Sequence, residues 1–165
     1  MVGLLFPHGN YLSSIFWPMK ERAPLDQARS ALEAIAFGSV AITTRALTSA
    51  GLDLTFAQWR VLVIVGDDPN GATVTEIATR LDAEISPVSR LIGRVARRGL
   101  VRTGKDDQDR RVTRVTLTDA GGKLRESVLD HRRRLLAEVI AEAGPIEPDL
   151  ANALDRIGIA MRHYT

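Results

Sequence analysis

Apolar and polar positions alternate with a helical period over most of the chain. After Asp26, a plausible N-cap, residues Ala28, Leu32, Ile35, Ala36, Ser39, Ile42, Thr43 and Leu47 fall near the spacing of one helix face. They predict a long helix to about Ser49, with Gly51 as its stop. Thr55 caps a second helix carrying Phe56, Trp59, Val61, Leu62, Ile64 and Val65. Asp67-Asp68-Pro69-Asn70-Gly71 is a turn built from residues that turns favour. Its acidic start does not make a calcium loop, because Pro69 stands where the third ligand is needed and no glutamate closes the loop. Thr73 or Thr75 opens a short helix with Ile77, Ala78 and Leu81 inside. Ser86 is expected to cap the next helix, with Pro87 at its first position and Gly99 at its end. Leu100 to Thr103 and Arg111 to Leu117 alternate as strands. Thr118 caps a long helix to about Ala143, and Gly144-Pro145 and Pro148 separate it from a last helix striped by Leu150, Leu154, Ile157 and Met161.

The order describes a mainly α fold with a small β-hairpin. A length of 165 residues suits one domain, taken as 25–165 behind an irregular arm 1–24 that holds Phe6, Tyr11, Phe16 and Trp17. There is no cysteine, which excludes disulfides, thiolate ligands and thiol redox sensing. No apolar run is long enough to cross a membrane, and the first residues lack the basic start of a signal peptide. A cytoplasmic location and no membrane partner are expected.

Charge sharpens the picture. Net charge is only +2, yet Arg80 to Arg125 holds 12 basic against 6 acidic residues, net +6, and the remainder holds 10 against 14, net −4. A basic segment in an otherwise acidic chain marks a local polyanion site. That segment contains the helix pair. Val88 and Leu91 mark the inner face of its second helix, and Ala78 is small enough to let the two helices cross closely. The opposite face presents Ser89, Arg90, Gly93, Arg94 and Arg97, and arginine has the fork geometry for guanine edges and phosphates. Ser86 and the adjacent N–H groups at the helix start suit a phosphate. The hairpin follows at once with Lys105, Arg110 and Arg111 at its tip, and arginine in a narrow minor groove is a recurrent reader of DNA shape. Asp109 stands two residues before Arg111, within reach of its guanidinium. The bland alternative, a helical hairpin with a solvated charged face, does not explain why a basic tip follows a basic helix.

Catalytic constellations are missing. There is no nucleophile elbow, dinucleotide fingerprint or phosphate-loop lysine motif, and His8, His131 and His163 lie far apart in sequence with no H-x-x-x-H pair among them. No enzyme, cofactor or metal is expected.

Leu81…Ser86-Pro87-Val88-Ser89-Arg90-Leu91, Arg98-Gly99-Leu100-Val101-Arg102, Asp107-Gln108-Asp109-Arg110-Arg111 and Leu117-Thr118-Asp119-Ala120-Gly121 together resemble the multiple antibiotic resistance regulator (MarR) family. These motifs span about 74–121, and the order of flanking helices extends the likeness from about 26 to 163. The resemblance implies a winged helix-turn-helix lobe, about 55–118, and a helical dimerisation layer, about 26–50 and 119–163. It implies a homodimer that binds double-stranded DNA at a pseudo-palindromic operator and regulates transcription, usually as a repressor. Its recognition positions fall on Pro87, Ser89 and Arg90, with Arg94 near the backbone or a base edge. Its minor-groove arginine falls on Arg111, its orienting aspartate on Asp109, and its variable middle residue on Arg110, a phosphate contact. Thr75, Ser86 and Arg97 complete the expected DNA-binding set. The family's usual effector is a small molecule, here expected to be aromatic or phenolic, with Phe37, Trp59 and His131 as candidate contacts. Core positions for Phe37 and Trp59 are an equally good reading. An architectural DNA-binding protein without effector and a helical protein–protein adaptor are the alternatives.

Overall fold

A computed structural model describes residues 24–51, 54–106 and 109–161. The aromatic arm, with His8, and the tail with His163 lie outside the described residues, apart from Pro24. Among the described residues six helices and three short strands follow in order: α1 (Pro24–Ser49), α2 (Phe56–Gly66), β1 (Ala72–Thr73), α3 (Val74–Leu81), α4 (Ile85–Arg97), β2 (Val101–Lys105), β3 (Thr113–Leu117), α5 (Asp119–Ala143) and α6 (Pro148–Met161). The chain divides into two compact units, Met1–Val40 and Ala41–Thr165, and α1 runs across the boundary.

The first unit's described part is the start of α1, where Leu25, Ile35, Phe37 and Val40 are all exposed. The second unit contains the core. Its centre is α2, whose Val61, Leu62 and Val65 are almost wholly buried. Around them lie Ile77 and Ala78 of α3, Val88, Leu91, Ile92 and Val95 of α4, Val115 of β3, and Leu124 and Val128 of α5. Burial of this apolar face, more than intrinsic helix propensity, stabilises helices as short as α3.

Local signals set most boundaries. Thr55 and Gln58 form a capping box at α2, and Thr73 and Glu76 form another at α3. In the latter Thr73 N–H donates to Glu76 Oε2 at 2.7 Å, and Glu76 N–H to Thr73 Oγ1 at 3.1 Å. The Thr73 amide is the first cause that lowers the Glu76 carboxyl below its ordinary value.

One expectation is corrected and one is extended. The helix after the turn is not capped by Ser86: it begins at Ile85 with Glu84 as N-cap, which puts Ser86 second and Pro87 third. Asp82 adopts the left-handed conformation (φ +50°), and the Ala83 and Asp82 amides turn back onto Ala78 and Thr79, so a new helix can start at once. Pro87 is tolerated because the earliest intrahelical bond is donated by the next residue, Val88 N–H to Glu84 O at 3.3 Å. The hairpin, in turn, belongs to a three-stranded antiparallel sheet in the order β1-β3-β2. Ala72 pairs with Val115 and Thr73 with Arg114, and on the other side Gly104 pairs with Arg114 and Val101 with Leu117.

Candidate nucleic-acid interface

The amphipathic split of α4 decides what this lobe can touch. Val88, Leu91, Ile92 and Val95 are buried, whereas Ser86, Pro87, Ser89, Arg90, Arg94 and Arg97 are all exposed. Six of the ten residues expected from sequence to meet DNA therefore share the solvent side of one helix. Thr75 is exposed on α3, and Asp109, Arg110 and Arg111 are exposed in the β2–β3 loop.

The side chains of α4 are partly arranged already. Arg90 Nη1 donates to Ser86 Oγ at 3.1 Å, one turn back, so the guanidinium lies toward the helix start. Ser89 Oγ donates to Ile85 O at 2.9 Å, which leaves the hydroxyl an acceptor for a base amino group. Glu84 caps α4 by its backbone, its carboxylate makes no cap hydrogen bond, and the first turn carries no acidic residue. Arg90, Arg94, Arg97, Arg110 and Arg111 form no ion pair among the described residues. Unneutralised guanidinium groups displace counterions from phosphates without first breaking internal pairs.

The wing is a two-stranded ribbon closed by side chains as well as main chain. Asp109 Oδ1 accepts the Arg111 main-chain N–H at 2.9 Å, an Asx turn. The aspartate thus meets the arginine's amide, the donor that a carboxylate two residues earlier reaches with least side-chain ordering. Val112 N–H donates to Asp109 O at 2.9 Å, and Asp106 N–H to Val112 O at 3.0 Å. Asp107 and Gln108, part of the tip motif read from sequence, lie outside the described residues.

Several residues near this surface were not among the candidate DNA contacts read from the sequence. Arg114, on β3, donates through Nε to Asp106 Oδ2, and this partner is the first cause that raises its already high pKa. Arg102, on β2, donates to Thr116 Oγ1 at 2.9 Å. Arg98 Nη1 donates to the buried Gln58 Oε1 at 3.3 Å, which ties the end of α4 to the start of α2. No spacing rule finds such pairs, because strand register or helix packing brings them together.

The lobe is joined to α5 through a tight motif. Thr118 Oγ1 donates to Gly99 O at 2.6 Å and accepts Gly121 N–H at 3.0 Å, and Thr118 N–H donates to Leu100 O at 3.1 Å. A Cβ at Gly121 would stand 1.9 Å from that same Leu100 oxygen, so only glycine fits. This explains the Leu-Thr-x-x-Gly spacing in physical terms.

The candidate effector contacts do not all fall in one unit. Phe37 is 84% exposed in the first unit, and Trp59 is only 4% exposed, in the core of the second. His131 is half-buried on α5. Among the described residues no cluster of ligating side chains forms that would hold a metal, and no helix is long and apolar enough to cross a membrane.

The sequence model of the MarR family matches residues 52–112, which covers α2 to the wing loop. Over 70 residues, 42% of this chain and 41% of the relative, the protein is 34% identical to the HTH-type transcriptional repressor IacR of Pseudomonas putida. It is 31% identical over 122 residues, 61% of this chain and 62% of the relative, to the HTH-type transcriptional regulator TtmR of Methylorubrum extorquens (strain PA1). The matches thus span less than two thirds of either curated relative, and both relatives are regulators rather than enzymes. The fold is that of CouR from Rhodococcus jostii RHA1, solved with p-coumaroyl-CoA, at a TM-score of 0.66 and 21% identity over 86% of this chain and 94% of that one. With its capped α2 and α3, its exposed α4 face, its wing and its Leu-Thr-x-x-Gly joint, the chain has the fold of MarR-family structures, and its residues 52–112 are similar to the sequences of that family.

Proposed function

We propose that the protein is a cytoplasmic homodimer that binds double-stranded DNA at a pseudo-palindromic operator and regulates transcription, acting as a repressor that a small molecule releases. The observation that carries this reading is the set of arginines on α4 and on the wing loop of the same compact unit that form no ion pair among the described residues. In this reading α4 enters the major groove, where Pro87, Ser89 and Arg90 meet base edges and Arg94 follows the backbone or an adjacent edge. Thr75, Ser86, Arg97 and Arg110 take phosphates, and Arg111 enters the minor groove with Asp109 ordering its approach.

The dimer is argued from uncovered apolar surface. α6 has no buried residue, and Leu150, Leu154, Ile157 and Met161 expose from 36 to 48% of their surface. Val139 and Ile140 at the end of α5 and Ile146 after it are also exposed. A second copy of the chain is the occupant that covers such a face and reads a two-fold site, with a total interface above roughly 2,000 Å². The repressor sign follows the relative named as a repressor. The effector is an aromatic or phenolic molecule, by analogy with the neighbour that carries p-coumaroyl-CoA, and His131 is its proposed polar contact in the second unit. Such a ligand releases DNA only through a higher affinity for the non-binding geometry.

Retention of genomic fragments by the full-length protein tests the function. A few sites sharing one palindrome are the expected result. Many sites related by shape alone would indicate an architectural protein, and no retained fragment would indicate an adaptor.

A further inference from the structure

We infer that Asp106 and Arg114 brace the wing loop and present Arg111 to the minor groove, two positioning residues that act on DNA only through that arginine. The inference rests on the DNA-binding reading above.

A chain of contacts carries it. Asp106 is the residue after β2, where the ribbon leaves the sheet. One of its carboxylate oxygens, Oδ2, takes Arg114 Nε, and the other, Oδ1, takes the Asp109 main-chain N–H at 3.1 Å. Asp109 then takes the Arg111 N–H through its own Oδ1. Each carboxylate therefore fixes the amide that sets the next one, from the sheet to the tip.

The far end of the brace is anchored. Arg114 lies on the central strand, paired with Thr73 of β1 on one side and Gly104 of β2 on the other. Its Nη1 approaches Gly71 O at 3.5 Å, and the Glu76 carboxylate adds to its field. The loop is thereby tied to the start of α3, which belongs to the helix-turn-helix. The pair is also drier than an ordinary surface pair: the side chains of Asp106 and Arg114 are 11% and 32% exposed. Exposed pairs stabilise little because water and side-chain entropy oppose them, and partial burial reduces the screening at some cost in desolvation. A hairpin tip made mostly of charged residues has little apolar surface with which to order itself. A polar brace is the means available to hold Arg111 in one approach, and ordering before binding lowers the entropic cost at the groove.

The experiment is a double-mutant cycle on the best DNA fragment retained by the full-length protein. Asp106→Asn keeps the shape but removes the charge that Arg114 requires. It is expected to weaken binding about tenfold in the wild-type background and less than about twofold when Arg111 is already alanine. Arg114→Ala, which breaks the brace from the sheet side, is expected to show the same non-additivity and decides the matter if Asp106→Asn unfolds. The loss is also expected to be greater on sites flanked by narrow A·T minor grooves than on G·C-flanked ones, a preference that a general loss of fold does not produce. Equal losses with and without Arg111, or no loss in either background, overturn the brace. An Arg111→Ala variant that binds like wild type overturns it too, because nothing is then being presented. A wild-type protein that retains no DNA refutes the DNA-binding reading itself, which is a different result from an additive cycle on a protein that binds.

Discussion

Two adjacent glycines at the start of α5 should respond to the same substitution with opposite signs. An ideal Cβ on Gly121 would lie 1.9 Å from the Leu100 carbonyl oxygen, whereas one on Gly122 meets nothing within 4 Å. Carbon–oxygen contacts between main chains settle near 3.3–3.6 Å, so Gly121→Ala must part α5 from the Leu100 peptide by about 1.4 Å. Two hydrogen bonds oppose that movement, Thr118 N–H to Leu100 O at 3.1 Å and Thr118 Oγ1 to Gly99 O at 2.6 Å. Breaking both costs about 2 kcal/mol, overpacking adds about 2, and alanine's helix propensity returns about 1, for a net loss of about 3 kcal/mol. Gly122→Ala keeps only the last effect and should gain up to about 1 kcal/mol. Urea unfolding of both variants at one protein concentration reads the difference as opposite shifts of midpoint at constant slope. A Gly121→Ala midpoint at or above wild type would refute the close-approach argument, and with it the physical account of the Leu-Thr-x-x-Gly joint.

Arg90→Ala should cost about 1–3 kcal/mol and relax preference at one base pair per half-site, which site selection would detect. Arg97→Ala should lower affinity on all sequences alike and flatten the salt dependence by about one unit per contact; an altered selected site for Arg97→Ala with an unchanged one for Arg90→Ala would reverse the proposed docking of α4. Leu154→Glu with Ile157→Glu on α6, both large apolar residues at the exposed surface, should yield a monomer by light scattering at micromolar concentration, and an intact dimer would place the interface elsewhere. Glu76 contributes to pH dependence with a defined sign: its carboxyl is lowered from 4.5, first by the Thr73 amide, so its stabilisation is present above that value and lost as pH falls through the lower folded value. The stability gap between wild type and Glu76→Gln should therefore shrink on acidification through that range, and a gap that grows would contradict the capping-box assignment.

Much of the fold was legible because its signals are local. Thr55, Thr73 and Thr118 each announce a helix within three residues of their capping partner, and each stands at its cap in the structure. The last helix and the end of α5 at Ala143 follow from Gly144 and Pro148 in the same way. The α4 boundary was misread because Ser86-Pro87 matches a cap followed by a first helical position. The left-handed turn at Asp82, which no spacing reveals, moves the start back to Ile85. β1 has two residues and no pattern of its own, and it exists only by pairing with Arg114 and Val115. The candidate site divides along the same line. The exposed face of α4 follows from helical period, whereas the Asp106–Arg114 contact spans eight positions and needs the hairpin's register to form.

The net +6 of the basic segment treats all its arginines alike, and geometry divides them into two classes. Arg80 and Arg125 both donate to Asp67, at 2.7 and 3.0 Å, so one carboxylate at the end of α2 joins α3 to α5. Arg125 also lies across Gly66, where a Cβ would come within 2.6 Å of its side chain. Arg98 and Arg114 are likewise committed to Gln58 and Asp106. These arginines contribute to the frame of the lobe, and their charge is directed at internal acceptors. Arg90, Arg94, Arg97, Arg110 and Arg111 have no ion pair among the described residues and stand exposed on α4 and the wing loop. A fixed frame is what makes the second class useful. Phosphates and base edges repeat at set distances, and unpaired guanidinium groups match that repeat only if the helix and the loop that carry them cannot drift apart. In the proposed function the arginines bonded within the lobe therefore bear on DNA recognition indirectly, by holding α4 and the wing at one spacing.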